Sequence, residues 1–308
     1  MSDRASAAAG SLAKAGVARE HVVMLAVVTL LWGLNWPALK VALVAFEPWT
    51  FRAVVLVVSS LTLFLIGRAL GHRCRLPRRL WRPILVPAAM VTGWHVCSAF
   101  GVSELGGGRA AIIAFTMPLW AALISVWWLD ERLDPRRIGA LSLGLLGLGL
   151  LMAGDVARMQ AAPAGVLLML AAALSWAIGT VATKATAWGL SAIVLTAWQL
   201  ALGAVPIVIV ALVRGAPTGI GDADLWAWTG AVYSTFVAMV VCFCAHIRLV
   251  TLLPATVAAI GIMAIPVVGL FASALLLGEP VGSAELAALA LVVGGQAVLF
   301  LAPKGARR

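Results

Sequence analysis

Trp32, Asn35, Trp36 and Lys40 stand at i, i+3, i+4 and i+8 within "LLWGLNWPALK", residues 30–40. On a helix that spacing sets two aromatic rings, an amide and a cation on one face. Trp176, Gly179, Thr180, Thr183 and Lys184 repeat the device in "LSWAIGTVATK". Trp176 and Lys184 each follow Trp32 and Lys40 by 144 positions. Such stripes can line a cavity in which an apolar body stacks on indole while a polar end meets the amide or the cation. The same residues also fit an interfacial tryptophan belt with lysines snorkelling to water. For Lys40 and Lys184 both readings stand.

Three more groups can do chemistry. Arg52, in "EPWTFRAVV", follows Glu47 by about one helical turn and a half, and Gln199 takes the matching place in "TAWQLALG". The guanidinium can clamp a carboxylate through two parallel hydrogen bonds, or pair with Glu47 or a helix-end carbonyl. In "GWHVCS", His95 is flanked by Trp94 and lies one turn from Ser98. It titrates near neutrality and sits mid-span, which suits substrate binding, proton carriage or a neutral structural role. Tyr233 and Ser234 can face the same space or merely pack, and His246 reads as interfacial.

Lipid must position these groups. Of the 308 residues, 63% are hydrophobic and 11% charged, with a mean hydropathy of +1.06, well outside soluble-domain usage. Apolar runs bounded by charges, Pro and Gly predict ten spans, at about 22–44, 49–67, 83–102, 108–129, 137–154, 164–186, 191–213, 225–246, 254–277 and 284–302. Each approaches the roughly 20 residues that cross a bilayer core. The fold expected is an all-α integral membrane bundle. Most of the 22 Lys and Arg, the arginine-rich 68–82 stretch foremost, fall on the side of the N-terminus, against Lys40, Arg109, Arg158 and Arg214 on the other. That bias predicts that both termini are cytoplasmic, and clusters of this kind between spans argue for lipid and topology, with no nucleic acid as partner.

An internal repeat organises the spans. "AFTMPLWAALISVWWLDE" aligns with "GIMAIPVVGLFASALLLGE", so that Pro118 matches Pro266 and Glu131 matches Glu279 at an offset of 148. Five spans per copy is an odd number, which inserts the second copy upside down, as in transporters built from inverted repeats. The organisation expected is a cytoplasmic tail over 1–21, a first five-helix repeat over 22–154, a second over 164–302 and a cytoplasmic tail over 303–308.

Several chemistries are disfavoured. All 12 Asp and Glu fall in tails, loops or span ends, so no mid-membrane carboxylate serves as a sodium ligand or proton relay. The Gly-rich "LSLGLLGLGLLMAG" lacks the Lys and Ser/Thr of a phosphate loop. Gly139, Gly144, Gly147, Gly149, Gly294 and Gly295 suit close helix packing instead. Cys74, Cys97, Cys242 and Cys244 show no disulfide or zinc spacing. No metal and no cofactor are expected. Pro37, Pro87, Pro118, Pro206 and Pro266 lie inside spans, where kinks can open a cavity.

Ten spans, paired Trp-bearing first helices, and "MPLWAALISVWWLDERL" echoed by "IPVVGLFASALLLGEPV" together resemble the drug/metabolite transporter superfamily, EamA type, over essentially the whole chain. The resemblance implies an inner-membrane exporter of amino acids or related small metabolites, working by alternating access through a central cavity. It assigns Pro118, Glu131, Pro266 and Glu279 structural or gating roles, although Asp130 departs from Gly278 at the matching helix end. The substrate-binding set expected is Asn35, Trp36, Lys40, Arg52, Trp94, His95, Trp176, Thr180, Gln199 and Tyr233. The partners expected are a small metabolite and the bilayer, with room for a homodimer. The rival classes are a polytopic membrane enzyme, which would need acids or histidines clustered at one face, and a non-transporting membrane regulator.

Overall fold

The computed structural model describes residues 19–105, 113–153, 163–215, 223–277 and 282–301, and every regular element among them is helical. In chain order these are α1 (Arg19–Ala45), α2 (Pro48–Ala69), α3 (Trp81–Leu105), α4 (Met117–Leu129), α5 (Pro135–Ala153), α6 (Pro163–Ala185), α7 (Ala192–Arg214), α8 (Leu225–Leu252), α9 (Ala255–Gly261), α10 (Ile265–Leu277) and α11 (Ser283–Leu301). Local chemistry marks several ends. Glu47 caps α2 by accepting from Thr50 N at 2.8 Å, with Pro48 in the first turn, where its missing N–H costs nothing. Asp224 caps α8 through Ala227 N at 2.8 Å. Asp130 ends α4 at φ 51°, a left-handed cap that Asp tolerates better than most residues other than Gly.

Among the described residues, seven helical stretches are long and apolar enough to cross a membrane: α1, α2, α3 with the 3₁₀ turn before it, α6, α7, α8, and one running through α9 and α10. Large apolar side chains cover the outside, with Val44 and Leu275 both 86% exposed and Trp127 82%. A surface this greasy is stable only against lipid. The chain is a multi-pass membrane protein.

The expected span 108–129 appears in its described part as the end of a helix at 113–114, a turn over 115–116 and then α4, and the expected span 254–277 is divided by a turn over 262–264 into α9 and α10. Both breaks lie in the turn before a proline, Pro118 and Pro266, whose missing N–H and ring stop a helix from running on through the four preceding residues. These two prolines therefore open new helices, whereas Pro37, Pro87 and Pro206 ride inside continuous ones. Irregular backbone at membrane depth is tolerated where it borders an interior space. Phe115, Met117 and Ile265, beside the two breaks, face the central cavity.

The helices pack in a regular scheme: α1 on α8 and α10, α6 on α3 and α4, α2 on α7, and α5 on α11. Small residues set the closest approaches. A Cβ on Gly33 would fall on Val268 of α10, one on Gly230 on the Ala38 carbonyl oxygen of α1, and one on Gly295 2.7 Å from the Ala140 carbonyl oxygen of α5. Gly149 and Gly294 meet nothing within 4 Å, so the packing role expected for the glycines holds for Gly295 and not for these two. From Tyr233 to Cys242, α8 is wound as a π-helix, which re-aims its hydrogen bonds towards neighbours. Ser59 Oγ donates to Thr235 O at 3.0 Å, and Trp32 Nε1 donates to Ala238 O at 2.8 Å.

Glu131 ties the chain's two halves together. Its Oε1 accepts from Ala255 N at 2.8 Å, at the start of α9, while Oε2 lies 3.5 Å from Arg137 Nη1. Glu131→Ala is expected to lose about 1–2 kcal/mol, as removal of a helix cap does. Thermal unfolding of the detergent-purified protein checks this, and Glu131→Gln, which keeps an acceptor, is expected to lose less.

Candidate functional site

The two tryptophans that head the polar stripes meet in the middle of the bundle. Trp32 of α1 and Trp176 of α6 pack edge to face with ring centroids 5.5 Å apart and planes at 73°. Trp94 of α3 closes on Trp176 at 5.1 Å, and Trp36 lies 6.4 Å from Phe115. These rings wall a central cavity of about 80 Å³, into which Asn35, Arg52, His95 and Ser98 also face.

Two further spaces adjoin it. One of about 150 Å³ opens beside Glu47, Trp49 and Arg214, sharing Arg52 and His95 with the centre. The other, about 30 Å³, is lined by Thr180, Thr183, Gln199 and His246 and shares Trp94, His95 and Trp176. His95 borders all three. The result is a narrow line of cavities from the Glu47–Arg214 end towards Thr183, partitioned by Arg52, Trp94, His95 and Trp176.

Electrostatics along this line are one-sided. The half-buried Arg52 has a fully buried Nε with no hydrogen-bond partner, and no salt bridge to it occurs among the described residues. Glu47, the pairing partner the sequence offered, spends its carboxylate on Thr50 N instead. His95 is 3% exposed and its Nδ1 is unpartnered. Buried polar atoms are nearly always satisfied, so unsatisfied ones gathered around a cavity mark groups held ready for a ligand or water. No cluster of metal-ligating side chains occurs among the described residues.

Of the ten residues expected to bind substrate, Asn35, Trp36, Arg52, Trp94, His95 and Trp176 line the central cavity, and Thr180 and Gln199 line the smaller space beyond Trp176. Gln199 is 1% exposed and donates to Thr183 Oγ1 at 3.1 Å. Tyr233 donates to Leu31 O at 2.8 Å and knits α8 to α1. Lys40 is exposed and does not line the central cavity. Lys184, offered by the sequence as the matching cation, donates to Thr251 O at 3.1 Å at the end of α8. Pro118 and Pro266 are buried at the helix breaks, Glu131 bridges α4 to α9, and Glu279 falls outside the described residues.

His246 is the residue that sequence reasoning misplaced. It reads as interfacial because it ends the expected span 225–246, yet it is 1% exposed, with its ring 5.4 Å from Trp32 and 5.2 Å from Trp176 and both nitrogens unpartnered. The signal available was its place on α8, one turn beyond the buried Cys242. His246→Phe is expected to raise stability by about 1 kcal/mol, since it removes unsatisfied polar atoms from an aromatic box, while lowering transport. Parallel melting and uptake measurements on the same preparation check both directions.

The model of the EamA-like transporter family matches residues 20–153 and again residues 163–301. The chain belongs to the EamA-like transporter family. Its relatives include YvbV of Bacillus subtilis strain 168, described as an uncharacterised transporter, 29% identical over 88% of both chains. A probable amino-acid metabolite efflux pump of Salmonella typhimurium strain LT2 is 22% identical over 91% of this chain and 94% of its own. A crystal structure of a protein 19% identical superposes with a TM-score of 0.75 over 92% of this chain and 98% of that one, and so shares the fold. This EamA-like chain is a transporter by family, and its family and relatives point away from an enzyme.

Proposed function

We propose that this protein is an inner-membrane secondary transporter that exports amino acids or related small metabolites by alternating access. The observation that carries the reading is Arg52, a cation facing a membrane-depth cavity without a partner among the described residues. An uncompensated guanidinium is costly to bury, and a passing carboxylate that it clamps in two hydrogen bonds offsets that cost. The indoles of Trp36, Trp94 and Trp176 stack the apolar body, while Asn35, His95, Thr180 and Gln199 supply hydrogen bonds along the line.

Ten spans in two inverted halves, 22–154 and 164–302, are the architecture this mechanism uses. Support for the halves comes from the double family match and from the pairing scheme. Exchanging α1 with α6, α2 with α7, α3 with α8, α4 with α9 and α10, and α5 with α11 maps each pairing onto itself or another. Two such halves rock about the cavity between them, with both termini in the cytoplasm. Pro118 and Pro266 place the breaks that border the cavity, and Glu131 latches the Lys184 end.

Reconstituted proteoliposomes loaded with labelled amino acids and their metabolites test the proposal. The expected result is release of unmodified label, accelerated by the protein and saturable. Chemically altered label would indicate an enzyme, and release no faster than from empty vesicles across the panel would refute transport of this class.

A further inference from the structure

Resting on the proposed binding role of the central cavity, a narrower reading follows from its charge. We infer that the cavity selects organic monoanions with an aromatic or branched apolar body, such as keto acids or N-acylated amino acids, over the zwitterionic and cationic forms of the same body. Among the described residues, those lining the centre include the Arg52 cation and no Asp or Glu. Glu47, which lines the adjoining space, accepts from Thr50 N, and Glu131 holds Ala255 N and Arg137.

The Asn35 amide leans the same way. Asn35 Oδ1 accepts from Ser234 Oγ at 2.9 Å, which orients the amide and leaves both protons of its NH₂ to serve the cavity as donors. Arg52 offers donors only. A carboxylate thus finds a cation and an amide donor, while the five rings of Trp32, Trp36, Trp94, Trp176 and Phe115 take an aromatic body. An ammonium on the same ligand finds no carboxylate among the described residues that line the centre. Placed roughly 6 Å from a guanidinium at an effective dielectric of about 20, it is repelled by about a hundredfold in binding constant. Indole faces return only part of this through cation–π attraction.

A matched series sharing one phenyl body decides the matter: 3-phenylpropionate and N-acetylphenylalanine as anions, phenylalanine as zwitterion, phenethylamine as cation. Binding to the unaltered full-length protein in nanodiscs is measured by calorimetry and by quenching of tryptophan fluorescence. The expected order places both anions at least tenfold tighter than phenylalanine, with phenethylamine weakest, and Arg52→Gln narrows the gap. Phenylalanine binding as tightly as the anions overturns the inference, as does a failure of all four to bind. The affinity order on the unaltered chain stands as the test even if Arg52→Gln misfolds. Export of zwitterionic phenylalanine in preference to both anions in proteoliposomes would uphold the transport reading and sink this one. Selective anion binding without any vectorial release would do the reverse.

Discussion

Arg52→Ala is expected to lower transport at least about thirtyfold at unchanged membrane abundance. Truncating one partner of a desolvated, hydrogen-bonded charge pair costs roughly 2–5 kcal/mol, and the lower end already corresponds to about thirtyfold. Arg52→Lys is expected to recover only part, because a single ammonium cannot reproduce the planar fork of a guanidinium on a carboxylate. The free protein should respond in the opposite sense. Arg52 has a buried Nε without a partner, so its removal relieves a desolvation cost and leaves the melting temperature equal or higher. A transport assay paired with thermal unfolding therefore separates lost binding from lost folding. Normal transport by Arg52→Ala would remove the central cavity from the pathway.

Gly230→Ala carries the largest structural effect. The added Cβ would stand within van der Waals overlap of the Ala38 carbonyl oxygen, 2.9 Å from Val41 Cγ2 and 3.1 Å from the Ala38 carbonyl carbon. Two of these three atoms are backbone, which no rotamer change can move aside, so α1 and α8 must part by about 1 Å, and overpacking of this kind costs roughly 1–3 kcal/mol by itself. The displacement also stretches three hydrogen bonds between those helices, Tyr233 to Leu31 O, Trp32 Nε1 to Ala238 O, and Ser234 to Asn35. Each is worth about 1 kcal/mol. A total near 3–5 kcal/mol is expected as a sharp loss of folded yield and melting temperature, with weaker transport because Trp32 and Asn35 both border the cavity. Gly149→Ala is the control, since a Cβ there meets nothing within 4 Å and alanine favours the helix. Equal effects from the two substitutions would refute the close-approach argument.

Much of the site was legible one-dimensionally. The i, i+3, i+4 spacing of Trp32, Asn35 and Trp36 does bring all three to one cavity, because helical geometry alone decides which side chains share a face. Arg52 and His95 stood out because ionisable groups are rare at membrane depth. The same logic could not rank Lys40 against them. It extends the stripe by one turn, and one turn carries it out to an exposed position near the end of α1. His246 failed for the complementary reason, since its place at the end of an expected span suggested the interface while Trp32 and Trp176, both distant in sequence, enclose it. The π-wound stretch of α8 left no mark in composition. What sustains it is bonding to α1 and α2, from Tyr233, Trp32 and Ser59.

The sequence by itself determined the environment, the helical class and the family, because bilayer burial depends on composition and because helix periodicity and the Trp, Pro and Glu correspondences are all properties of order along the chain. Only the tertiary structure decided which polar groups are already spoken for. Tyr233 and Gln199 satisfy partners within the bundle, Glu47 turns to its own helix end, and Arg52, His95 and His246 keep unsatisfied atoms beside the cavities. Hydrogen bonding depends on approach within about 3 Å, and residues some 200 positions apart reach that distance only once the helices have packed.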